Sequence, residues 1–201
     1  MPSSKSASQS GSVSPFIKAV KERPLLADGG IGTLLYSRGA SPDASFEHLN
    51  LTNKDLVQEI HVEYLNAGAE IITTNSFGAN KFKLANFGLE KDVWNINVWA
   101  AKVARNAREI AGIPAFIAGS VGPTNQTASL SPDALRPGYR AVDFDRLVEV
   151  YQEQFEGLME GGVDLFLIET VFDTLNAKAA LFAAEEVFSR TGKRLPLMIS
   201  V

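Results

Sequence analysis

The chain of 201 residues contains no cysteine. That excludes disulfide bonds, a cysteine nucleophile and any thiolate-bound metal within these residues. Histidine is almost as scarce, with only His48 and His61. His61 falls inside a helical pattern and reads as a helix-face residue, and the two together make no metal site. No apolar run approaches the roughly 20 residues that a membrane-spanning helix requires. Basic charge is not in excess: 19 Lys and Arg against 23 Asp and Glu leave a formal charge of −4. That balance argues against a nucleic-acid or anionic-membrane partner. The opening MPSSKSASQSGSVS has neither the apolar core of a signal peptide nor the arginines of a transit peptide. Residues 1–14 therefore read as a disordered Ser-rich tail on a cytoplasmic protein.

What is present is a foldable α/β pattern. With 45% hydrophobic residues, the remainder (15–201) can bury the core of one domain. From Arg23 onward short apolar runs alternate with amphipathic stretches, as in β/α units. Strands are expected at Leu25–Asp28, Glu70–Asn75, Ala115–Ser120, Asp164–Glu169 and Leu195–Val201. Their near-continuous apolar character suits a parallel sheet covered on both faces. Thr52 and Asp55 form a variant capping box ahead of Leu56, Val57, Ile60, Tyr64 and Leu65. Helical stripes follow at Val93–Ala107, at Phe144–Met159, and at Leu175–Ala183 with Asp173 as its N-cap.

Two stretches echo each other. AGAEIITTN (67–75) and GGVDLFLIE (161–169) align without gaps, which sets Asn75 opposite Glu169 at the polar end of a repeated unit. A long loop, 122–142, follows the third strand; loops of that length in a compact domain are usually functional or disordered. Five parallel strands fit either a complete doubly wound sheet or the first five strands of an eight-stranded barrel. A barrel typically needs about 250 residues, and the chain stops at LPLMISV, inside a strand. Composition leaves both architectures open.

The polar residues at the strand ends are the candidate site. LLADGGIGT (25–33) ends its strand at Asp28 and continues through Gly29, Gly30, Gly32 and Thr33. Such a turn lets backbone amides approach an anion, although it matches no nucleotide-binding fingerprint. TTNSF (73–77) places Asn75 at the second strand end, as ligand contact or as turn residue. DLFLIETVFDT (164–174) ends an apolar run in Glu169, a carboxylate that needs a partner or a purpose. Asp28 and Glu169 suit either an acid/base pair or a clamp for a cation. A clamp facing an amide-rich turn is what a zwitterionic amino acid requires.

LLADGGIGTLL, HVEYLNAGAEIITTNSFGAN, AGSVGPTNQTASLSP and LIETVFDTLNAKAA, in that order, resemble the homocysteine S-methyltransferase family. GPTNQTASLSP and ETVFDTLNAKAA are most similar to the N-terminal homocysteine-binding module of cobalamin-dependent methionine synthases. The resemblance implies a partial TIM (β/α)8 barrel, about the first five β/α units, over residues 15–201. It implies methyl transfer to the homocysteine thiol, giving methionine. Asp28 and Glu169 match acids that hold the substrate's amino group, and the turn Gly29, Gly30, Gly32, Thr33 matches the part that receives its carboxylate. Asn75 and the mouth loop at Gly122 and Asn125 line the same opening. It also implies zinc on three cysteines, methylcobalamin on a separate module, and cobalamin- and folate-binding modules as partners. Those cysteines are expected beyond Val201, so the chain is expected to orient homocysteine but to be inactive alone. Two alternatives stand beside this. One is a non-catalytic, five-stranded amino-acid-binding domain; the other is a homocysteine methyltransferase with a folate-reductase-fused, sulfonium or betaine donor system.

Overall fold

In chain order, four helices precede the first strand: Pro15–Glu22 (α1), Ile31–Ser37 (α2), Leu49–Thr52 (α3) and Lys54–Asn66 (α4). Ile71–Thr73 (β1), Lys81–Ala85 (α5), Val93–Ala111 (α6) and Phe116–Val121 (β2) come next. Phe144–Gly161 (α7), Leu165–Ile168 (β3), Thr174–Thr191 (α8) and Leu197–Ile199 (β4) complete the order. The structure, a computed structural model, describes residues 13–201. Residues 1–12, where most of the expected Ser-rich tail falls, lie outside the described residues.

The four strands form one parallel sheet in the order β1-β2-β3-β4, each crossover carrying helices. Alternate side chains serve opposite faces, as period-2 geometry demands. Ile72, Ile117, Phe166 and Ile168 join the core formed with α6, α7 and α8. Ile71, Ala118, Leu165 and Leu167 pack on the other face with Phe16 of α1, whose ring meets Phe116 edge-to-face at 5.3 Å. Both faces are therefore apolar and occupied, so these strands read as unbroken hydrophobic runs.

Leu25–Asp28, expected as the first strand, is reduced to one parallel bridge, Ala27 to Ile71. The Asp28 N–H donates to the Ile71 carbonyl at 2.9 Å, and the Ile71 N–H to Leu26 at 3.1 Å. Pro24 lacks an amide donor and Gly29–Gly30 end the extended stretch, so the pairing has no room to lengthen. The expected strand at Leu195–Val201 is shorter too, running Leu197–Ile199. Four of the eight helices among the described residues fall where the stripes place them. The start of α4 differs: its cap is Asn53, whose side chain accepts from the Leu56 N–H at 3.4 Å. Thr52 instead closes α3, its hydroxyl donating to His48 at 3.1 Å. A short Asx side chain immediately before the helix wins over the capping box.

The α6–α7 contact is close because α7 carries Gly157 and Gly161. A Cβ on Gly161 would lie 2.6 Å from the Val98 carbonyl. This backbone approach keeps α7, and the loop behind it, tight against the sheet.

His61 is fully buried on α4, and neither ring nitrogen has a hydrogen-bond partner among the described residues. Burial pushes its pKa down to about 4. The unfolded chain binds the His61 proton near pH 6.5 and the folded chain does not, so this group removes stability as pH falls from about 6.5 to 4. Such a shift amounts to something on the order of 3 kcal/mol. Asp28, raised to about 6, acts in the opposite direction, adding stability as pH falls from 6 toward its ordinary value. His61→Leu should therefore flatten or invert the acid limb of a urea-unfolding stability profile between pH 7 and 4.5. An acid limb as steep as the parent's would refute the assignment.

Candidate active site

The carboxyl ends of the strands surround a cavity of about 250 Å³ whose wall includes Gly29, Gly30, Gly32, Asn75, Ser120 and Glu169. Parallel β/α sheets build sites at this end, because loops leave the strands there and no side chain must fill the space.

Glu169 is the first residue past β3, its N–H donating to the Val121 carbonyl at 3.1 Å. Its carboxylate accepts a hydrogen bond from the Ser120 hydroxyl. Thr170 follows with φ +58°, a left-handed backbone that a β-branched residue adopts only under constraint. Asp28 stands beside the cavity rather than in its wall. Its Oδ2 accepts from the Thr73 N–H at 2.8 Å, and the Thr73 hydroxyl reaches the same carboxylate at 3.2 Å. Burial raises the Asp28 pKa to about 6, and the charge of Glu169 adds to that rise against the Thr73 hydrogen bonds. Tyr64 is raised as well, by burial and then by the Asp28 charge.

A third carboxylate, Glu47, lies in the wall and accepts from the Gly78 N–H at 2.7 Å and the Ser45 hydroxyl at 2.8 Å. None of Asp28, Glu47 and Glu169 forms an ion pair with a Lys or Arg among the described residues. Opposite them, the N–H groups of Gly29 and Gly30 have no backbone acceptor among the described residues. The Gly30 carbonyl is pinned by the Tyr64 hydroxyl at 3.1 Å and the Thr33 hydroxyl at 3.2 Å. The site thus sets carboxylates that form no ion pair among the described residues beside amide donors without an acceptor there, an arrangement complementary to a small zwitterion.

The remaining expected residues sort differently. Thr33 is exposed and holds the turn from outside the cavity. Asn75 lines the wall but is buried, its Nδ2 donating to Phe46 at 2.8 Å while its carbonyl accepts from Asn50 at 2.7 Å. Gly122 borders a small adjoining recess with Glu169 and Asp173, and its N–H donates to Phe77 at 3.1 Å. A Cβ there would lie 2.6 Å from the Phe77 carbonyl and ring. Asn125 stands apart, in a shallow depression beside Glu47 and Lys83, with its Nδ2 3.4 Å from the Phe82 carbonyl.

Comparison with known proteins identifies the family and the fold. The family model described as homocysteine S-methyltransferase matches residues 25–201. The chain belongs to the homocysteine S-methyltransferase family. The metallated form of the Escherichia coli homocysteine methyltransferase MmuM is similar at 26% identity and a TM-score of 0.72, over 91% of this chain and 65% of that one. The oxidized form of the same enzyme gives 26% identity and a TM-score of 0.73, over 92% and 64%. This family member thus spans slightly less than two thirds of the length of those enzymes. Its α/β fold, with a four-stranded parallel sheet, is similar to theirs.

Sequence reasoning missed Ser120, Glu47 and Thr73. Ser120 and Thr73 sit inside apolar strand runs, and Glu47 lies in an irregular stretch ahead of α3. It assigned Asp173 correctly as the α8 cap, accepting from the N–H groups of Leu175 and Asn176, but not its second contact. The same carboxylate accepts from the Ser129 N–H at 3.1 Å and the Ser129 hydroxyl at 2.7 Å. With Asn176, which accepts from the Ala128 N–H at 3.0 Å, it ties the mouth loop to α8. Asp173→Ala should cost about 1–2 kcal/mol for the cap alone. It should also speed proteolytic cleavage within 122–142; stability loss without faster cleavage would separate the two contacts. Gly122→Ala should lower the melting temperature by several degrees in differential scanning calorimetry.

Proposed function

We propose that this chain holds homocysteine for methyl transfer to its sulfur, with methionine as the product. The observation that carries the reading is the pair Asp28 and Glu169, close enough to repel each other and without an ion-pair partner among the described residues, at the cavity that Gly29, Gly30 and Gly32 also line. The carboxylates take the substrate ammonium and the turn takes its carboxylate, leaving the side chain to extend into the cavity. A free thiol with pKa near 8.5 is mostly protonated at neutral pH, so the reaction needs an activator of the sulfur. The resemblance implies zinc for that task. These residues do not fit it: the chain has no cysteine, and no group of three or more His, Cys, Asp or Glu among the described residues can hold a metal. No step through zinc is assigned to this chain.

The same reading makes the chain part of a (β/α)8 barrel acting with cobalamin- and folate-binding modules, methylcobalamin carrying the methyl group. Two sheet edges unpaired among the described residues support a partial barrel: there β4 pairs only with β3, and the Leu25–Asp28 segment only with β1. The motifs GPTNQTASLSP and ETVFDTLNAKAA support the methionine synthase setting. A cytoplasmic location accords with the described helices, none of which is long and apolar enough to cross a membrane. The lack of cysteine favours a second reading, an amino-acid-binding domain without catalysis.

Titration calorimetry on the full chain tests the clamp. Glu169→Gln removes one charged partner of the ammonium, about 1.5–3 kcal/mol, and should weaken homocysteine binding at least tenfold. Because Asp28 must be ionised to hold an ammonium, affinity should fall as pH drops through about 6, with proton release on binding in that range. Affinity that stays flat from pH 5 to 7.5 would remove Asp28 from the clamp. Methionine formation after adding separately expressed cobalamin, folate and downstream barrel modules distinguishes the catalytic reading from the binding one.

A further inference from the structure

Ser120 is the last side chain of β2 to face the site, and every polar atom it has is used. Its N–H donates to Thr74 Oγ1 at 3.0 Å, and its carbonyl accepts from Ser76 Oγ at 2.7 Å. Thr74 Oγ1 and Ser76 Oγ lie 2.6 Å apart. A hydroxyl has one proton to give. Ser76 spends its proton on the Ser120 carbonyl, so in the Thr74–Ser76 contact Thr74 is the donor and Ser76 the acceptor. The result is a closed ring in which each bond's direction is fixed. Thr74 gives to Ser76, Ser76 to the Ser120 carbonyl, and the Ser120 N–H back to Thr74. The Ser120 hydroxyl is left outside the ring, with Glu169 Oε1 as its acceptor.

The ring is buried and braced from behind. Thr74, Ser76 and Ser120 are each 3% exposed or less, so water does not compete for these bonds. Gln154, fully buried on α7, donates through Nε2 to the Ser76 carbonyl at 2.8 Å and more weakly to the Ser120 carbonyl at 3.4 Å. One helix side chain thereby locks the loop after β1 to the end of β2. A dry, direction-fixed network of this kind holds one geometry better than isolated bonds do.

We propose that Ser120 is a positioning residue for Glu169. It ties one carboxylate oxygen and leaves the other aimed at the substrate ammonium, with the Thr74–Ser76 ring and Gln154 holding Ser120 in place. This rests on the ammonium-clamp reading given above. Without the Ser120 hydroxyl, Glu169 keeps its charge but loses its fixed rotamer, and the site loses selectivity for the amino group rather than its fold.

The test compares two ligands by titration calorimetry on the full chain: homocysteine, and its desamino analogue 4-mercaptobutanoate. Ser120→Ala should weaken homocysteine binding about tenfold and leave the analogue within twofold, and Ser120→Thr, which restores a hydroxyl, should recover most of the loss. Gln154→Leu should lose homocysteine affinity in the same selective way. Unchanged homocysteine affinity in Ser120→Ala, or equal losses for both ligands, overturns the proposal. If Glu169→Gln leaves homocysteine affinity unchanged, the clamp itself fails and this proposal falls with it. A loss in Glu169→Gln without one in Ser120→Ala overturns the positioning role alone. Loss of the parent's cooperative thermal transition in Ser120→Ala shows the Ser120–Glu169 contact to be structural and overturns the role as well.

Discussion

A parallel sheet packed on both faces admits carboxylates only where its pairing ends, and that constraint places the charged part of this site. One face of the strands meets α6, α7 and α8, and the other is filled from below by Phe16 of α1. Within the paired residues a carboxylate would meet only hydrocarbon, at a cost of several kcal/mol. Asp28 follows the Ala27 bridge, Glu169 follows Ile168, and Thr74 and Asn75 follow Thr73. The polar residues therefore accumulate at one rim, and the rim becomes a site because the rest of the sheet is closed to them.

Strand register then decides how those residues meet. The echo between 67–75 and 161–169 sets Thr73 opposite Leu167, yet the sheet pairs Thr73 with Ala118 and Ala118 with Leu165. Equivalent positions of the two units are displaced by two residues across two strand steps. Displacement of this kind lets Glu169 stand beyond the end of β2 and accept from Ser120, while Asn75 sinks against Asn50 and Phe46. Two residues that look equivalent in sequence thus take different work, one presenting a carboxylate to the cavity and one bracing a loop.

What the sequence made legible follows from how local its causes are. Apolar runs, helical stripes and the Asp173 cap depend on neighbours a few residues away, and these are where the pattern places them. Glu169 stood out because an acid ending a buried run contradicts its surroundings. Ser120 and Thr73 did not, since a small hydroxyl in an apolar run offends no local rule; their roles come from partners 45 to 49 residues distant. The first strand was over-read because its apolar content is strand-like, whereas pairing length was set by Pro24 and the glycine turn. That Thr33 lies exposed outside the cavity wall was not legible, because a glycine-rich motif does not reveal which of its residues faces inward.

The site also works against the stability of its own fold. Asp28 and Glu169 repel each other, which contributes to the raised Asp28 pKa, and Thr170 holds a left-handed backbone beside them. A purely structural rim would have recruited a Lys or Arg; this chain forms eight ion pairs among its described residues and directs none of them to Asp28, Glu47 or Glu169. Strain and unpaired charge persist only where surrounding structure over-determines them, and here Thr73 and Ser120 supply that hold through their hydroxyls. A resident lysine would relieve the repulsion, but it would occupy the position the proposed substrate ammonium needs. Unpaired charge at one rim is thus the physical counterpart of the proposed affinity for a cation that the fold does not carry itself.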